Sequence, residues 1–299
     1  MLSMSEENFK AGFVSILGKP NVGKSTLMNA LTGERLSIIT SKAQTTRHRI
    51  FGILTGEDFQ MVYSDTPGVL DPQYELQESM MSFVQASIED ADVVLWVVEL
   101  GEKYRQSDFI DSVIQGSHKT ILVINKADLA TGSQLEDKVA YWREHFPEVE
   151  LLAVSAKDKT NLNPLFESIK GALPVHPPYF PEDALTDKPE RFFASEIIRE
   201  KIFLLYKKEV PYSSEVVVTE FKEEPKIIRM RAEIFVERTT QKGILIGHRG
   251  EMLKKVGIEA RKDLETFFQK KVYLETYVKV EKDWRKKKKQ LKRFGYRNT

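Results

Sequence analysis

The sequence predicts a chain of two domains. The first is α/β, a mostly parallel sheet with one antiparallel edge strand and helices on both faces, and the second is a smaller α+β domain of different plan. Three observations carry this. In the first half, short apolar runs ("FVSIL", "VVLWVV", "TILVIN", "LLAVSA") alternate with amphipathic helical stretches, which is the rhythm of βαβ units. A Pro-rich stretch, "LPVHPPYFPEDALTDKPE", Leu173 to Glu190, interrupts that rhythm. Charge changes sign across it: residues 1–190 hold 17 Lys and Arg against 28 Asp and Glu, net −11, and residues 191–299 hold 28 against 16, net +12. The overall charge of +1 hides this contrast, and the basic second half suits a polyanionic partner.

The elements follow in order. Strand "FVSIL" runs into the Gly-rich loop "GKPNVGKS", with a helix from about Ser25. "HRIFGILTGEDFQMVYSDT" reads as two strands about a Gly56-Glu57-Asp58 turn, which supplies the antiparallel edge pair. The three remaining apolar runs supply parallel strands. The five prolines of the interrupting stretch disfavour helix and strand interior, so it reads as a semi-rigid linker. Beyond it the expected order is helix ("RFFASEIIREKIFLLYKKE"), strand ("SEVVVTEFKEE"), strand ("KIIRMRAEIFVE"), a Gly-x-x-Gly loop in "ILIGHRGEML", helix ("EMLKKVGIEARKDLETFFQK") and strand ("KVYLETYVKVEK"). The tail from Lys282 to Arg297 holds nine basic residues and one acid, interleaved with Trp284, Phe294 and Tyr296. The expected divisions are 1–175, a linker 176–190, 191–281 and a basic tail 282–299.

The chain has no cysteine, which excludes disulfides and Cys-based zinc sites and fits a reducing compartment. No run approaches the roughly 20 apolar residues of a membrane span, and the first residues carry no signal-peptide core. A soluble, cytoplasmic monomer is expected.

"GKPNVGKS" matches G-x-x-x-x-G-K-[ST] between a strand and a helix. Gly18, Lys19, Pro20, Asn21, Val22 and Gly23 would wrap phosphates in backbone N–H groups, aided by the helix N-terminus at Lys24, Ser25 and Thr26. Lys24 would reach the β- and γ-phosphates, and the Ser25 hydroxyl would bind Mg²⁺. "DTPG" (Asp65, Thr66, Pro67, Gly68) follows a strand and places Asp65 near the metal through water, with the Gly68 amide near the γ-phosphate. "NKAD" contains Asn125, Lys126 and Asp128 and follows the next strand but one. An aspartate there accepts two hydrogen bonds from the N1–H and exocyclic amine of guanine, a pair that adenine lacks. "SAK" (Ser155, Ala156, Lys157) ends the following strand, where its backbone can touch the guanine carbonyl. All four motifs converge on one sheet edge, where open α/β folds bind ligands. GTP and GDP are the expected nucleotides.

With these motifs the first 175 or so residues resemble the translation-factor class of small GTPases, and "KAQTTRHRI", Lys42 to Ile50, together with "GKPNVGKS" points within it to the Era family. The resemblance implies that Thr46, or else Thr45, lies in the first switch and ligates Mg²⁺ when the γ-phosphate is present. Ras-like enzymes orient the attacking water with a glutamine just after "DTPG", but this chain has Val69. In some relatives a P-loop asparagine helps to hold K⁺, and Asn21 takes that position here; a plain turn residue is the other reading of Asn21. Slow intrinsic hydrolysis, stimulated by K⁺ or a partner, is the expectation, with Lys24, Thr46, Gly68 and Asn21 as the catalytic set. A scaffold in which bound GTP matters more than turnover is the alternative that Val69 favours.

The Gly247-His248-Arg249-Gly250 loop sits in a helix-strand-strand-helix-helix-strand order that resembles the type II KH domain. Glycines at both ends allow close approach of a nucleic-acid backbone, Ile244 and Ile246 can pack on bases, and Arg249, Lys254 and Lys255 can meet phosphates. The basic tail fits RNA through phosphate neutralisation and occasional stacking; an anionic membrane surface or plain solvation are its other readings. A GTPase domain followed by one KH domain is the plan of the bacterial Era family over essentially the whole chain. That resemblance implies binding to the 3′ end of 16S ribosomal RNA, assistance in maturation of the small (30S) subunit, and peripheral association with the inner membrane.

Overall fold

Residues 8–116 and 118–296 are described by the computed structural model, and their contacts divide into two units. The first runs to Ser37 and includes Thr46–Asp71 and Met80–Asp187; the second takes Ile38–Thr45, Pro72–Ser79 and everything from Lys188.

The first unit is a six-stranded sheet of β1 (Lys10–Leu17), β2 (Ile50–Thr55), β3 (Phe59–Asp65), β4 (Val93–Glu99), β5 (Lys119–Asn125) and β6 (Glu150–Ala153), in the spatial order β2-β3-β1-β4-β5-β6. Every neighbouring pair is parallel except β2 with β3, so the expected hairpin forms, closed by the Gly56 amide on the Phe59 carbonyl at 2.8 Å. Successive strand residues face opposite sides of a sheet. Val93 to Val98 are all buried, so both faces of β4 are covered, and that is why its sequence reads as an unbroken apolar run. The helices are α1 (Lys24–Thr32), α2 (Glu75–Glu89, whose first turn belongs to the second unit), α3 (Asp108–Ile114), α4 (Gln134–His145) and α5 (Leu162–Ala172). Trp96, Trp142 and Phe146 anchor the core between β4, β5 and α4.

The Pro-rich stretch corrects the sequence expectation. Up to Asp187 it is a strap on the first unit rather than a linker. Ala11 donates to the Pro174 carbonyl (3.2 Å) and His176 to that of Phe9 (2.9 Å). Gln60 is fully buried, its Oε1 accepting from the Tyr179 and Phe180 amides (2.7 and 2.9 Å) and its Nε2 donating to the Phe180 carbonyl (2.8 Å). Further on, the Ile53 amide donates to the Leu185 carbonyl (2.9 Å). β2 is the outermost strand, and the strap covers an edge that would otherwise invite pairing with another chain. Proline excludes regular structure locally and leaves the carbonyls free, which is what the strap uses.

The second unit holds α6 (Glu190–Leu205), α7 (Val210–Ser213), β7 (Glu215–Glu223), β8 (Ile227–Val236), α8 (Thr239–Ile246), α9 (Glu251–Phe268), β9 (Lys271–Val280) and α10 (Lys288–Arg293). β8 is central, antiparallel to β7 and parallel to β9. Ile228, Met230, Ala232 and Ile234 alternate inward against Ile198, Ile202, Leu245, Val256 and Leu264, while Arg229 on the other face is exposed. The segments Ile38–Thr45 and Pro72–Ser79 join this unit through specific bonds. The Arg199 guanidinium, fixed by Glu196 (2.5 and 2.7 Å), donates to the Thr45 carbonyl at 2.6 Å. Lys42 donates to the carbonyls of Phe203 and Tyr206 at the C-terminal end of α6, where the helix dipole favours a cation. Arg285 lies over the Tyr74 ring, 5.1 Å from its centroid.

The tail is also corrected. Trp284, Leu291, Phe294 and Tyr296 are buried, Trp284 donating its indole N–H to the Ser213 carbonyl (2.9 Å) and Tyr296 its hydroxyl to Glu215 (2.8 Å). These aromatic rings are core and are not available to stack on bases. Lys282, Lys286, Lys287, Lys288, Lys289, Lys292 and Arg293 remain exposed, so the segment is a folded element with a basic surface.

Truncating a buried indole costs about 3–5 kcal/mol, whereas exposed lysines stay within about 0.5 kcal/mol. Trp284→Ala is therefore expected to destabilise the second unit by that larger amount in urea denaturation, and Lys289→Ala to leave the transition in place. Equal, small effects would return the aromatic residues to the surface.

Candidate nucleotide site and nucleic-acid loop

β1, β3, β4, β5 and β6 run parallel and end on one sheet edge, and the loops that leave them carry the four motifs. Gly18 follows β1, Asp65 closes β3, Asn125 closes β5, and Ser155 lies just beyond β6. Gly23 has φ +97°, which a side chain rarely adopts, and α1 starts from it at Lys24. Its Cβ would lie 2.3 Å from Asn125 Nδ2. Asn125 ties the site together: Nδ2 donates to the Val22 carbonyl (2.9 Å) and Oδ1 accepts from the Ala156 amide (3.0 Å). The phosphate loop and the expected base pocket are thus joined through one buried amide side chain.

The Lys24 amine is 6 % exposed and donates to the carbonyls of Gly18 (3.1 Å) and Lys19 (2.9 Å). Burial lowers its pKa from 10.5 to about 8, against the opposing pull of Asp65 and Glu102. Asp65 is fully buried; burial raises its pKa, while Ser25, Lys24, Ser37 and Thr46 favour its charged form. Ser25 donates to Asp65 Oδ2 at 2.7 Å and lies 2.9 Å from the Thr46 hydroxyl, which reaches the same oxygen at 3.3 Å. The three groups expected to hold Mg²⁺ are therefore together, and Asp65 Oδ1 is buried with no hydrogen-bond partner among the described residues. An all-oxygen set with one orphaned carboxylate oxygen suits a hard divalent cation. Among the described residues no group of three or more His, Cys, Asp or Glu could hold a metal elsewhere.

The other motif residues fall around this centre. Gly68 packs against the phosphate loop, where a Cβ would lie 2.6 Å from the Pro20 nitrogen. The Val69 amide donates to the Gly18 carbonyl (3.0 Å), and its side chain packs on the apolar core. Thr66 donates to the Ile16 carbonyl (2.9 Å), Pro67 is buried, and Thr26 is half-buried on α1. Asn21 is exposed at φ +67°. Asp128 is exposed, with Oδ1 accepting from the Ser155 hydroxyl (2.6 Å), which also takes the Asp158 amide (3.1 Å). Lys157 stands exposed on the rim.

Sequence reasoning missed four residues here. Lys126 pairs with Glu99 (2.6 Å) and Lys19 with Glu102 (2.8 Å), so the end of β4 and the loop after it brace two motifs without containing one. Asn29 and Ser37, treated below, likewise belong to no motif.

In the second unit the Gly-x-x-Gly loop joins α8 to α9. Gly250 has φ +83° and open space around it, which leaves room for a backbone to approach. His248, Arg249, Lys254 and Lys255 are exposed, and Ile244 is 51 % exposed. Ile246 departs from expectation: it packs on the core of the unit, leaving Ile244 as the apolar contact that faces outward.

Comparison with known proteins agrees with this geometry. Residues 13–126 match the family described as 50S ribosome-binding GTPase, and residues 209–285 match the KH domain family. GTPase Era of Geotalea uraniireducens is 44% identical over 296 residues, 98% of this chain and 100% of the relative. GTPase Era of Syntrophus aciditrophicus is 44% identical over 292 residues, 96% and 95% of the two chains. Among solved structures, Era in complex with MgGDPNP and nucleotides 1506-1542 of 16S ribosomal RNA matches with TM-score 0.92 at 38% identity, covering 96% of this chain and 99% of that one. Aquifex aeolicus Era Y63A bound to GDP.AlF4- matches with the same score, identity and coverage. The two family matches and the full-length likeness to GTPase Era at 44% identity place the chain in the Era family of GTPases.

Proposed function

We propose that this protein binds GTP with Mg²⁺, hydrolyses it slowly, and uses the nucleotide state to govern binding of the 3′ end of 16S ribosomal RNA during maturation of the small (30S) ribosomal subunit in the cytoplasm. The observation that carries the reading is the convergence of Lys24, Ser25, Thr46, Asp65 and Asn125 on one sheet edge, in a chain that also presents an open Gly-x-x-Gly loop. The complex of an Era relative with nucleotides 1506-1542 supports the choice of RNA.

The chain's own groups account for the chemistry. Lys24, held by two loop carbonyls, is relieved of its burial cost by phosphate oxygens and returns charge to them. Ser25, Thr46 and Asp65 would hold the Mg²⁺, which when bound would supply positive charge at the phosphates. Val69, turned into the apolar core, cannot orient water, which accounts for slow turnover and leaves Lys24, the Gly68 amide and Asn21 as the groups that would act on the reacting phosphate. K⁺ beside Asn21 supplies the extra charge, so turnover is expected to be several-fold faster in potassium than in sodium buffer; equal rates would remove K⁺ from the mechanism.

Asp128 selects guanine. Charge-assisted hydrogen bonds are worth about 1.5–3 kcal/mol each. Asp128→Asn is expected to weaken GTP at least about a hundredfold and to improve xanthosine triphosphate, whose 2-oxo group, standing where guanine has its amine, can accept a hydrogen bond from the new side-chain amide. Competition against a fluorescent GDP reads both, and an unchanged preference would displace Asp128 from the base.

At the RNA loop, Ile244 offers an apolar contact and Arg249, Lys254 and Lys255 meet phosphates, with the exposed lysines of the tail adding charge. An anionic inner-membrane surface would meet the same lysines; RNA is preferred because the Gly-x-x-Gly loop lies in the same unit. Full-length protein is expected to bind a short single-stranded RNA of the 16S 3′ end more tightly with a non-hydrolysable GTP analogue than with GDP, at one fixed salt concentration. Gly250→Asp, which puts a carboxylate where phosphate approaches, is expected to cost at least tenfold in either state. Equal binding in both nucleotide states would make the site and the loop independent modules.

A further inference from the structure

The segment after α1 contains a buried hydroxyl that no motif accounts for. Ser37 is 2 % exposed. Its backbone is fixed to α1 by Asn29, whose Oδ1 accepts from the amides of Leu36 and Ser37 (both 3.0 Å) and whose Nδ2 donates to the Ser37 carbonyl (2.8 Å). α1 is also the helix that carries Lys24 and Ser25. Ser37 is therefore registered against the phosphate site by the same rigid element, wherever the chain goes after it.

The Ser37 hydroxyl lies beside Asp65, close enough to favour the charged carboxylate. Even so, neither Ser37 Oγ nor Asp65 Oδ1 completes a hydrogen bond of good geometry with any described residue. Asp65 Oδ2, by contrast, takes Ser25 and Thr46. Two orphaned buried oxygens, on side chains that neighbour each other, are partners for an ordered water, and Mg²⁺ keeps several of its waters when bound.

We propose that Ser37 is a positioning residue of the metal site: its hydroxyl and Asp65 Oδ1 together hold one water of the Mg²⁺ shell, and Asn29 sets the hydroxyl in place. The assignment rests on the Mg²⁺ reading given above. It makes Ser37 part of the metal's surroundings in the GDP state as well as the GTP state, because Ser37 is held by α1 and not by a γ-phosphate.

The test is release of a fluorescent GDP from the full-length protein, followed as free Mg²⁺ is raised from chelator to millimolar. Wild type is expected to release more slowly as Mg²⁺ rises, with a defined midpoint. Losing a group that supports a metal's ligands typically costs tenfold or more in metal affinity, so Ser37→Ala is expected to raise that midpoint about tenfold while release in chelator stays at the wild-type rate. Ser37→Thr, which keeps the hydroxyl, is expected to hold the midpoint within about twofold. An unchanged midpoint in Ser37→Ala, or a change in chelator as large as that in Mg²⁺, would overturn the assignment and leave Ser37 a packing residue. Release of wild type that ignores Mg²⁺ would instead remove the metal reading itself, and the Ser37 assignment with it.

Discussion

The buried charges at the edge of the parallel sheet are the constraint on which the rest of the first unit turns. Lys24 and Asp65 are both withdrawn from water, Lys24 to a pKa of about 8 and Asp65 to one above its usual range. At 1.36 kcal/mol per unit, holding the Lys24 ammonium charged near neutrality costs roughly 3 kcal/mol. The fold bears that cost because a polyphosphate with its cation supplies the missing partners. Stability is given up where ligand binding returns it.

That arrangement requires close approach more than any single strong bond. Gly68 meets the Pro20 nitrogen and Gly23 meets Asn125 at distances no Cβ could occupy. Asn125 then links the phosphate loop to the loop bearing Ser155 and Ala156. The phosphate loop and the loop bearing Ser155 and Ala156 consequently share one framework, so the placements of Lys24 and of the groups beyond β6 are not independent. A small displacement of one strand end would disturb both.

Motifs at strand ends were legible in the sequence because the chemistry demands fixed residue types at fixed offsets and the sheet brings the ends together. The β2–β3 hairpin was legible from its turn. The strap was not, because the buried Gln60 that anchors it looks like any polar strand residue until its three partners at Tyr179 and Phe180 are known. The tail misled through composition: nine basic residues outweighed an apolar spacing of Trp284, Leu291 and Phe294 that fits one helical face. Ile244 and Ile246 have the same chemistry in the sequence, and only the helical turn between them leaves Ile244 exposed and Ile246 half-buried against the core. Ser37 and Asn29 carried no pattern at all; their significance lies in an orphaned oxygen that only coordinates reveal.

A nucleotide can shift a conformational equilibrium only through contacts that differ between states. Here the relevant contacts meet at one peptide. Thr46 belongs to the first unit, with its hydroxyl at Ser25 and Asp65, and Thr45 belongs to the second, with its carbonyl on the buried Arg199 guanidinium. A hydrogen bond to a charged group is worth about 1.5–3 kcal/mol, which corresponds to roughly ten- to a hundredfold in an equilibrium constant. Making or breaking the Arg199 bond alone would therefore supply coupling of the size that allosteric proteins ordinarily show. Arg199 is fixed by Glu196 on its own helix, so its guanidinium is a rigid donor to the Thr45 carbonyl. Losing the Thr45 carbonyl would leave a buried arginine short of an acceptor, and that cost gives the bond its energetic weight.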